Sequence, residues 1–202
     1  LKGSVAVITD SSSGIGAAIA TLFAQYGCHV VITYSRTEEG ARSVAETCER
    51  EGVRALVCQA DVSIDDDCRR LVDQTMAAFG RIDILISNAG ITKFCPHGDL
   101  GGPDQQDFLD LYAVNTVGPF QMTRAAEKAL RANGSGHIIN MASVAGLAGV
   151  GSSIAYAASK GALITMTRSL ARVLGPEIRV NAVCPGVVQG EWLKQGLDET
   201  RY

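Results

Sequence analysis

The chain has 202 residues, enough for one domain with a sizeable core. Hydrophobic residues make up 47% and charged ones 19%, and the formal charge is −3, so the composition is that of an ordinary globule and offers nucleic acid little to hold. No apolar run nears the ~20 residues of a membrane-spanning helix. Lys2 is followed at once by a strand pattern, so no leader is read there, and Leu1 in place of Met implies that a short N-terminal piece is absent. The cysteines at 28, 48, 58, 68, 95 and 184 form no Cys-x-x-Cys pair; they read as buried free thiols of a reducing compartment, the cytoplasm, and not as a disulfide frame or a metal site.

In chain order, residues 4–9 form a short run rich in β-branched side chains, which predicts a strand buried on both faces. Asp10, Ser12, Ser13, Gly14, Ile15 and Gly16 lie in or just past the following loop, and a helix pattern runs to about Tyr26. A strand, a glycine loop and a helix in succession make an anion site, because backbone N–H groups and the helix N-terminus face the phosphates of a nucleotide. A second strand is predicted over 29–34, an amphipathic helix over 38–51, a third strand over 54–59, and a helix over 65–79 with acidic residues in its first turn. A fourth strand at 82–87 leads into a glycine-rich loop from Thr92 to Pro103. One long helix is expected over 104–131, then a strand at 137–142, a helix over 152–174, and a last strand at 178–184. This alternation predicts an α/β fold: a doubly wound, Rossmann-like parallel sheet with helices on both faces, in a single domain spanning 1–202. Ligands in such sheets collect at the carboxyl ends of the strands.

Ser143, Tyr156 and Lys160 stand out next. Tyr156 and Lys160 are four apart on the predicted helix and share a face. An ammonium beside a phenol favours phenolate and lowers its pKa, which would suit the phenol for proton exchange with a carbonyl or an alcohol. Ser143 has no histidine near it in sequence, so a hydrolase reading is poor. Pro119 lies four residues after Asn115 and has no N–H, so the Asn115 carbonyl is expected to lose its helical partner.

Together, Thr9…Gly14-Ile15-Gly16, Ser87-Asn88-Ala89-Gly90, Asn115, Ser143 with Tyr156-x-x-x-Lys160, and Asn181-x-x-x-Pro185-Gly186 resemble the short-chain dehydrogenase/reductase family, in that family's order. The resemblance implies an oxidoreductase in which Ser143 and Tyr156 hold a carbonyl oxygen, Tyr156 exchanges the proton, and Lys160 assists while binding the nicotinamide ribose. It also implies that a water on the Asn115 carbonyl extends the proton path. By the same resemblance Asp61 contacts the adenine and Val62 packs near it, while Ala89 and Gly90 pass close to the ribose. Pro185, Gly186 and Val188 would line the nicotinamide. Asp61 read on its own would equally cap the following turn.

The second strand ends at Tyr34, followed by Ser35 and Arg36, with no carboxylate for a ribose 2′-hydroxyl and a guanidinium for a 2′-phosphate. This favours NADP(H), with NAD(H) the alternative; Arg36 could otherwise pair with Glu38 or Glu39. Two positions depart from the family pattern: Asp10 replaces its first loop glycine and is expected to weaken cofactor binding, and Gly190 replaces a hydroxyl residue. The family's lid helix and last strand are missing after Tyr202, and residues 186–202 would be a mobile first part of that lid. Ala157, Ala158, Gly161 and Ala162 predict close helix–helix approach, either within the monomer or, as in the family, in a homodimer or homotetramer. The expected function is hydride transfer between NADP(H) and a carbonyl or secondary alcohol. The alternatives are an NAD-linked dehydrogenase of a hydroxylated sugar, steroid or acyl chain, and a cofactor-binding regulator without turnover.

Overall fold

In the computed structural model, described over residues 1–188, six strands form one parallel sheet in the order β3-β2-β1-β4-β5-β6. The strands are β1 (Val5–Ile8), β2 (His29–Tyr34), β3 (Ala55–Gln59), β4 (Ile84–Ser87), β5 (Gly136–Met141) and β6 (Ile178–Val183). Between them run α1 (Gly14–Gln25), α2 (Glu38–Arg50), α3 (Asp65–Phe79), α4 (Gln105–Tyr112), α5 (Gly118–Ala132), the short α6 (Val144–Ala148) and α7 (Ile154–Leu174).

The central strands β1, β2 and β4 are almost wholly apolar because each face of the sheet has its own core, whereas the edge strand β6 alternates buried Ile178 and Val180 with exposed Arg179 and Asn181. Val5 and Val7 pack into one cluster with residues of α3, α5 and α7; Ala6 and Ile8 pack into a second with α1 and α2. The same split separates Ile138 from Ile139 in β5. This is the two-residue period of a strand with both faces covered. Chain order reverses between β1 and β4, which are paired through Ala6–Ile8 and Ile84–Ile86. The loops that matter for a ligand open at the carboxyl ends of these strands, on either side of that switch point.

The helix expected over 104–131 is present as one run of helical backbone over 105–132, but its winding changes partway. It comprises α4, a π-wound turn at Ala113–Val117, and α5. Pro119 supplies no N–H to the carbonyl four residues back, and the N–H of Gly118 reaches instead to the Ala113 carbonyl, five residues back. Gly118 also sits where a Cβ would come within 2.7 Å of the Val62 side chain. The helix α6, five residues long, falls between the expected strand and helix and is too short for a periodic signal. The expected mobility of 186–202 concerns residues that lie, from 189 on, outside the described part of the chain.

Five of the six cysteines are buried and all six are free. Burial pushes the thiols of Cys28 and Cys58 up to about 11 and that of Cys68 up to about 12. These groups behave as small apolar fillers.

Candidate active site

The loop after β1 is held from below by β4. Thr9 Oγ1 accepts the backbone N–H groups of Asn88 and Ala89, both at 2.9 Å, and the Asn88 side-chain amide donates to the carbonyls of Thr9 and Asp10 at 3.0 and 2.9 Å. Gly16 enters this crossing so closely that a Cβ would lie 2.6 Å from the Asp10 carbonyl. Gly14, by contrast, has φ +55° with open space where a Cβ would point. Ser13 is the N-cap of α1, but its hydroxyl makes no capping bond. The first turn of α1 therefore presents unspent N–H groups and a free hydroxyl to an open recess, a chemistry that fits a pyrophosphate.

Asp10 has φ +51°, the one non-glycine positive φ among the described residues. Its N–H donates to Thr33 Oγ1 at 2.8 Å, so the turn is pinned despite the side chain. That side chain opens to solvent, yet enough protein surrounds it to push the carboxyl above its ordinary value.

At the end of β2, Ser35 and Arg36 are exposed. The surface pairing open to Arg36 is not made: Glu38 pairs with Arg42 at 2.6 Å, and among the described residues Arg36 has no ion pair. Gly40 of α2 approaches the Ser12 carbonyl so closely that a Cβ would be 2.8 Å away, which keeps this corner next to the glycine loop. After β3, Asp61 Oδ1 accepts from both the N–H and the hydroxyl of Ser63, so its turn-capping role is realised. Val62 is 5% exposed, with its side chain against Gly118 and its carbonyl taken by Gln121 at 2.7 Å.

Asn115, Ser143, Tyr156 and Lys160 come together at the ends of β4 and β5. A side-chain hydrogen bond joins Ser143 to Tyr156. The Lys160 ammonium lies 5.9 Å from the centre of the Tyr156 ring and donates to the Met141 carbonyl at 2.8 Å. Gly90 fits between Lys160 and Asn115: a Cβ there would lie 3.3 Å from both Lys160 Nζ and Asn115 Oδ1. Asn115 is fully buried. Its amide clasps the backbone of Ile91 from both sides, accepting the N–H at 2.9 Å and donating to the carbonyl at 3.0 Å, and it donates again to Ser159 Oγ.

The electrostatics correct one expectation. Tyr156 sits above the ordinary phenol value: burial raises it and outweighs the Ser143 hydrogen bond that pulls it down. Lys160 is pushed down to about 8 by burial, with Cys184 acting the other way. Here the dominant influence on both groups is loss of water, not their mutual field.

Residues that sequence reasoning missed hold this arrangement. Ser153 caps α7, and its hydroxyl accepts the N–H of Tyr156 itself at 3.1 Å. A serine three residues before Tyr156 at a helix start was a legible signal. Thr92 and Ser152 join hydroxyl to hydroxyl, and the Cys95 N–H donates to the Ser152 carbonyl at 2.8 Å. These contacts cross about sixty positions, and no local pattern announces them. The Gly161 end of the small-residue face of α7 is used within the chain: Gly146 of α6 crosses there, where a Cβ would lie 2.6 Å from the Gly161 nitrogen.

Beyond β6, the Pro185 carbonyl accepts the Val144 N–H at 3.1 Å, and Gly186 has open space around its α-carbon. Val188 is exposed. Gly190 lies outside the described residues.

A switch-point sheet, an anion-ready glycine loop and a half-buried Ser143 beside buried Tyr156, Lys160 and Asn115 define a nicotinamide-dependent oxidoreductase. Residues 4–200 match the family model described as short chain dehydrogenase, and the chain belongs to that family. It is 41% identical over 189 residues to the second ketoacyl reductase assigned to the granaticin polyketide synthase of Streptomyces violaceoruber, covering 93% of this chain and 74% of that one. A solved structure described as a short-chain dehydrogenase/reductase from Burkholderia xenovorans superposes with TM-score 0.92 at 46% identity, over 94% of this chain and 79% of the other. The structure of an NAD⁺-bound xylitol dehydrogenase superposes with TM-score 0.88 at 30% identity, over 96% of this chain and 75% of the other.

Proposed function

We propose that the chain reduces a carbonyl compound with NADPH. The observation that carries this reading is the cluster in which the half-buried Ser143 is bonded to the buried Tyr156 phenol while Lys160 lies over the same ring. A nicotinamide held in the recess would supply hydride chemistry toward the carbonyl carbon. Ser143 and Tyr156 hydrogen-bond the carbonyl oxygen, and Tyr156 gives it the proton. Lys160 holds the ribose and returns a proton to the phenol, with water at the Asn115 carbonyl as the supply. Tyr156 above its ordinary value is a phenol that keeps its proton until the substrate oxygen takes it, which suits a general acid. Ser13 and the first-turn N–H groups of α1 would hold the pyrophosphate, and Asp61 the adenine. Ala89, Gly90, Pro185, Gly186 and Val188 would line the nicotinamide.

Arg36 supports NADP(H), since it has no ion pair among the described residues and no acidic side chain ends β2. The relative described as a ketoacyl reductase supports carbonyl reduction. The NAD⁺-bound xylitol dehydrogenase supports the alternative, NAD-linked oxidation of a polyol.

Tyr156→Phe decides the mechanism. Turnover is expected to fall by about a thousandfold while the NADPH dissociation constant stays within about twofold. Retained turnover overturns the assignment. Arg36→Ala is expected to narrow the NADPH-over-NADH preference by about tenfold, measured by fluorescence titration of both cofactors. Equal affinities in the parent protein remove the NADP reading.

A further inference from the structure

The segments that touch the Ser143–Tyr156 pair carry exposed apolar side chains and, where described, no free charge. Ile91 is 39% exposed, and its backbone is the one clasped by Asn115. Phe94, also 39% exposed, precedes Cys95, whose N–H bonds Ser152. Val144 follows Ser143 directly and is 39% exposed, with the 61% exposed Leu147 one turn further along α6. Val150, 51% exposed, precedes Gly151, where a Cβ would meet the Tyr156 ring at 3.9 Å. A single exposed valine is ordinary, but five such side chains on the segments around the half-buried Ser143 and the buried Tyr156 are not.

The pattern of charge points the same way. From Ser143 to Ser153 there is no ionisable side chain, and from 183 to 188 the only one is the Cys184 thiol. From 84 to 94 the one charged residue is Lys93, whose ammonium is bound to Asp107 at 2.8 Å. Lys160 is 3% exposed. Among the described residues these walls hold no free lysine or arginine for a carboxylate or phosphate and few groups for a polyol; the one imidazole beside them, His97, lines a cavity with Ala145, Gly146 and Gly149. Hydroxyls left without partners against such walls would cost binding.

Resting on the carbonyl-reductase reading above, we infer that the substrate is a neutral ketone with a largely apolar body, seated between the Ile91–Phe94 strap and the Val144–Val150 segment. The ketone is reduced by two electrons: its carbon gains a hydride from the reduced nicotinamide, which is oxidised, and its oxygen gains the Tyr156 proton.

The test compares initial rates of NADPH loss with 2-tetralone, with a ring-carboxylated tetralone, and with xylulose. Neutral 2-tetralone is expected to exceed both others in kcat/KM by about thirtyfold. Phe94→Asp and Val144→Asp are each expected to raise its KM by about tenfold, while Phe94→Leu and Val144→Leu stay within about threefold and control for folding. Turnover of xylulose or the carboxylated ketone at equal or better efficiency overturns this inference and leaves the reductase reading standing, as does a KM unmoved by the Asp variants. NADPH that binds and is not consumed with any ketone overturns the reductase reading and this inference with it.

Discussion

Two side chains carry the energetic oddities of the site. Asp10 holds a left-handed backbone that glycine would adopt without strain, and it puts a carboxylate beside a recess shaped for phosphates. Asp10→Gly removes both, and NADPH is expected to bind about fivefold more tightly by fluorescence titration. Asp10→Ala removes the charge and keeps the strain, so its melting temperature should fall below that of the glycine variant while its cofactor affinity matches it. An affinity indifferent to either change would mean that the carboxyl already carries a proton or points away. Lys160 is the second case. Its folded pKa, about 8, lies below the ordinary lysine value of 10.5, so the folded state disfavours the charge the unfolded chain carries. Between those two pH values the unfolded chain binds more protons than the folded one, and stability rises with pH across that window; below about 8 the penalty is present in full. Lys160→Met should abolish this dependence. Melting curves of the two proteins should show the parent gaining on the variant from about pH 8 to 10.5, and parallel curves would contradict the burial argument. Neither sign was legible in the sequence. Four-residue spacing correctly placed the phenol and the amine on one face, but burial by β5 and α6 is a tertiary fact, and it reversed the expected direction for the phenol.

At the scale of elements, strands were the most legible: β1, β2 and β4 are buried on two faces and read as apolar runs, while the edge strand β6 is read from its alternation. The helix over 104–131 was legible in extent and not in winding. A 3.6-residue period does not register a π turn, although Pro119 four residues past Asn115 gave its cause. The consequence is local: the buried Asn115 amide is aimed at Ile91, the first residue of the strap that runs to Pro103. One position on, the Thr92–Ser152 hydroxyl pair ties the strap to the residue before Ser153, and Ser153 caps Tyr156. The strap is thus fastened at its start to both the Asn115 and the Tyr156 ends of the site. Thr92→Val keeps the shape and removes the hydroxyl. It is expected to lower kcat for a ketone by roughly tenfold, through a displaced phenol, with NADPH affinity unchanged. Thr92→Ser should restore the parent value. A fall in melting temperature with kcat unmoved would make the pair a structural fastener only.

For the whole molecule, the sheet explains why the candidate site residues gather at its carboxyl edge and leave the outer helix faces for another use. With α5 continuing from them against α3, the helix α4 and the π turn pack beside α7, where Thr116 Oγ1 donates to the Ser159 carbonyl at 3.0 Å. The outer side of this pair exposes Leu109, Val117 and Phe120 by 52%, 44% and 42%, next to the bare Ala158 of α7. Small residues on α7 allow a neighbouring helix to approach closely, and a two-fold axis would lay the same surface against itself. A stable contact of this kind removes about 800 Å² per partner, an area two helices can supply. The homodimer or homotetramer expected from the family resemblance would use this face. Phe120→Glu places a charge at its middle, beside an Arg124 that now lies over the ring, and should convert the assembly to smaller species in light scattering with the circular dichroism of the sheet unchanged. The active site opens on the sheet's carboxyl edge, not on these helix faces. Loss of assembly should therefore cost stability before it costs chemistry: the variant should melt lower at dilute concentration yet turn over at the parent's rate well below its melting point. A parent protein that is monomeric at high concentration would show that the exposed stripe has another role.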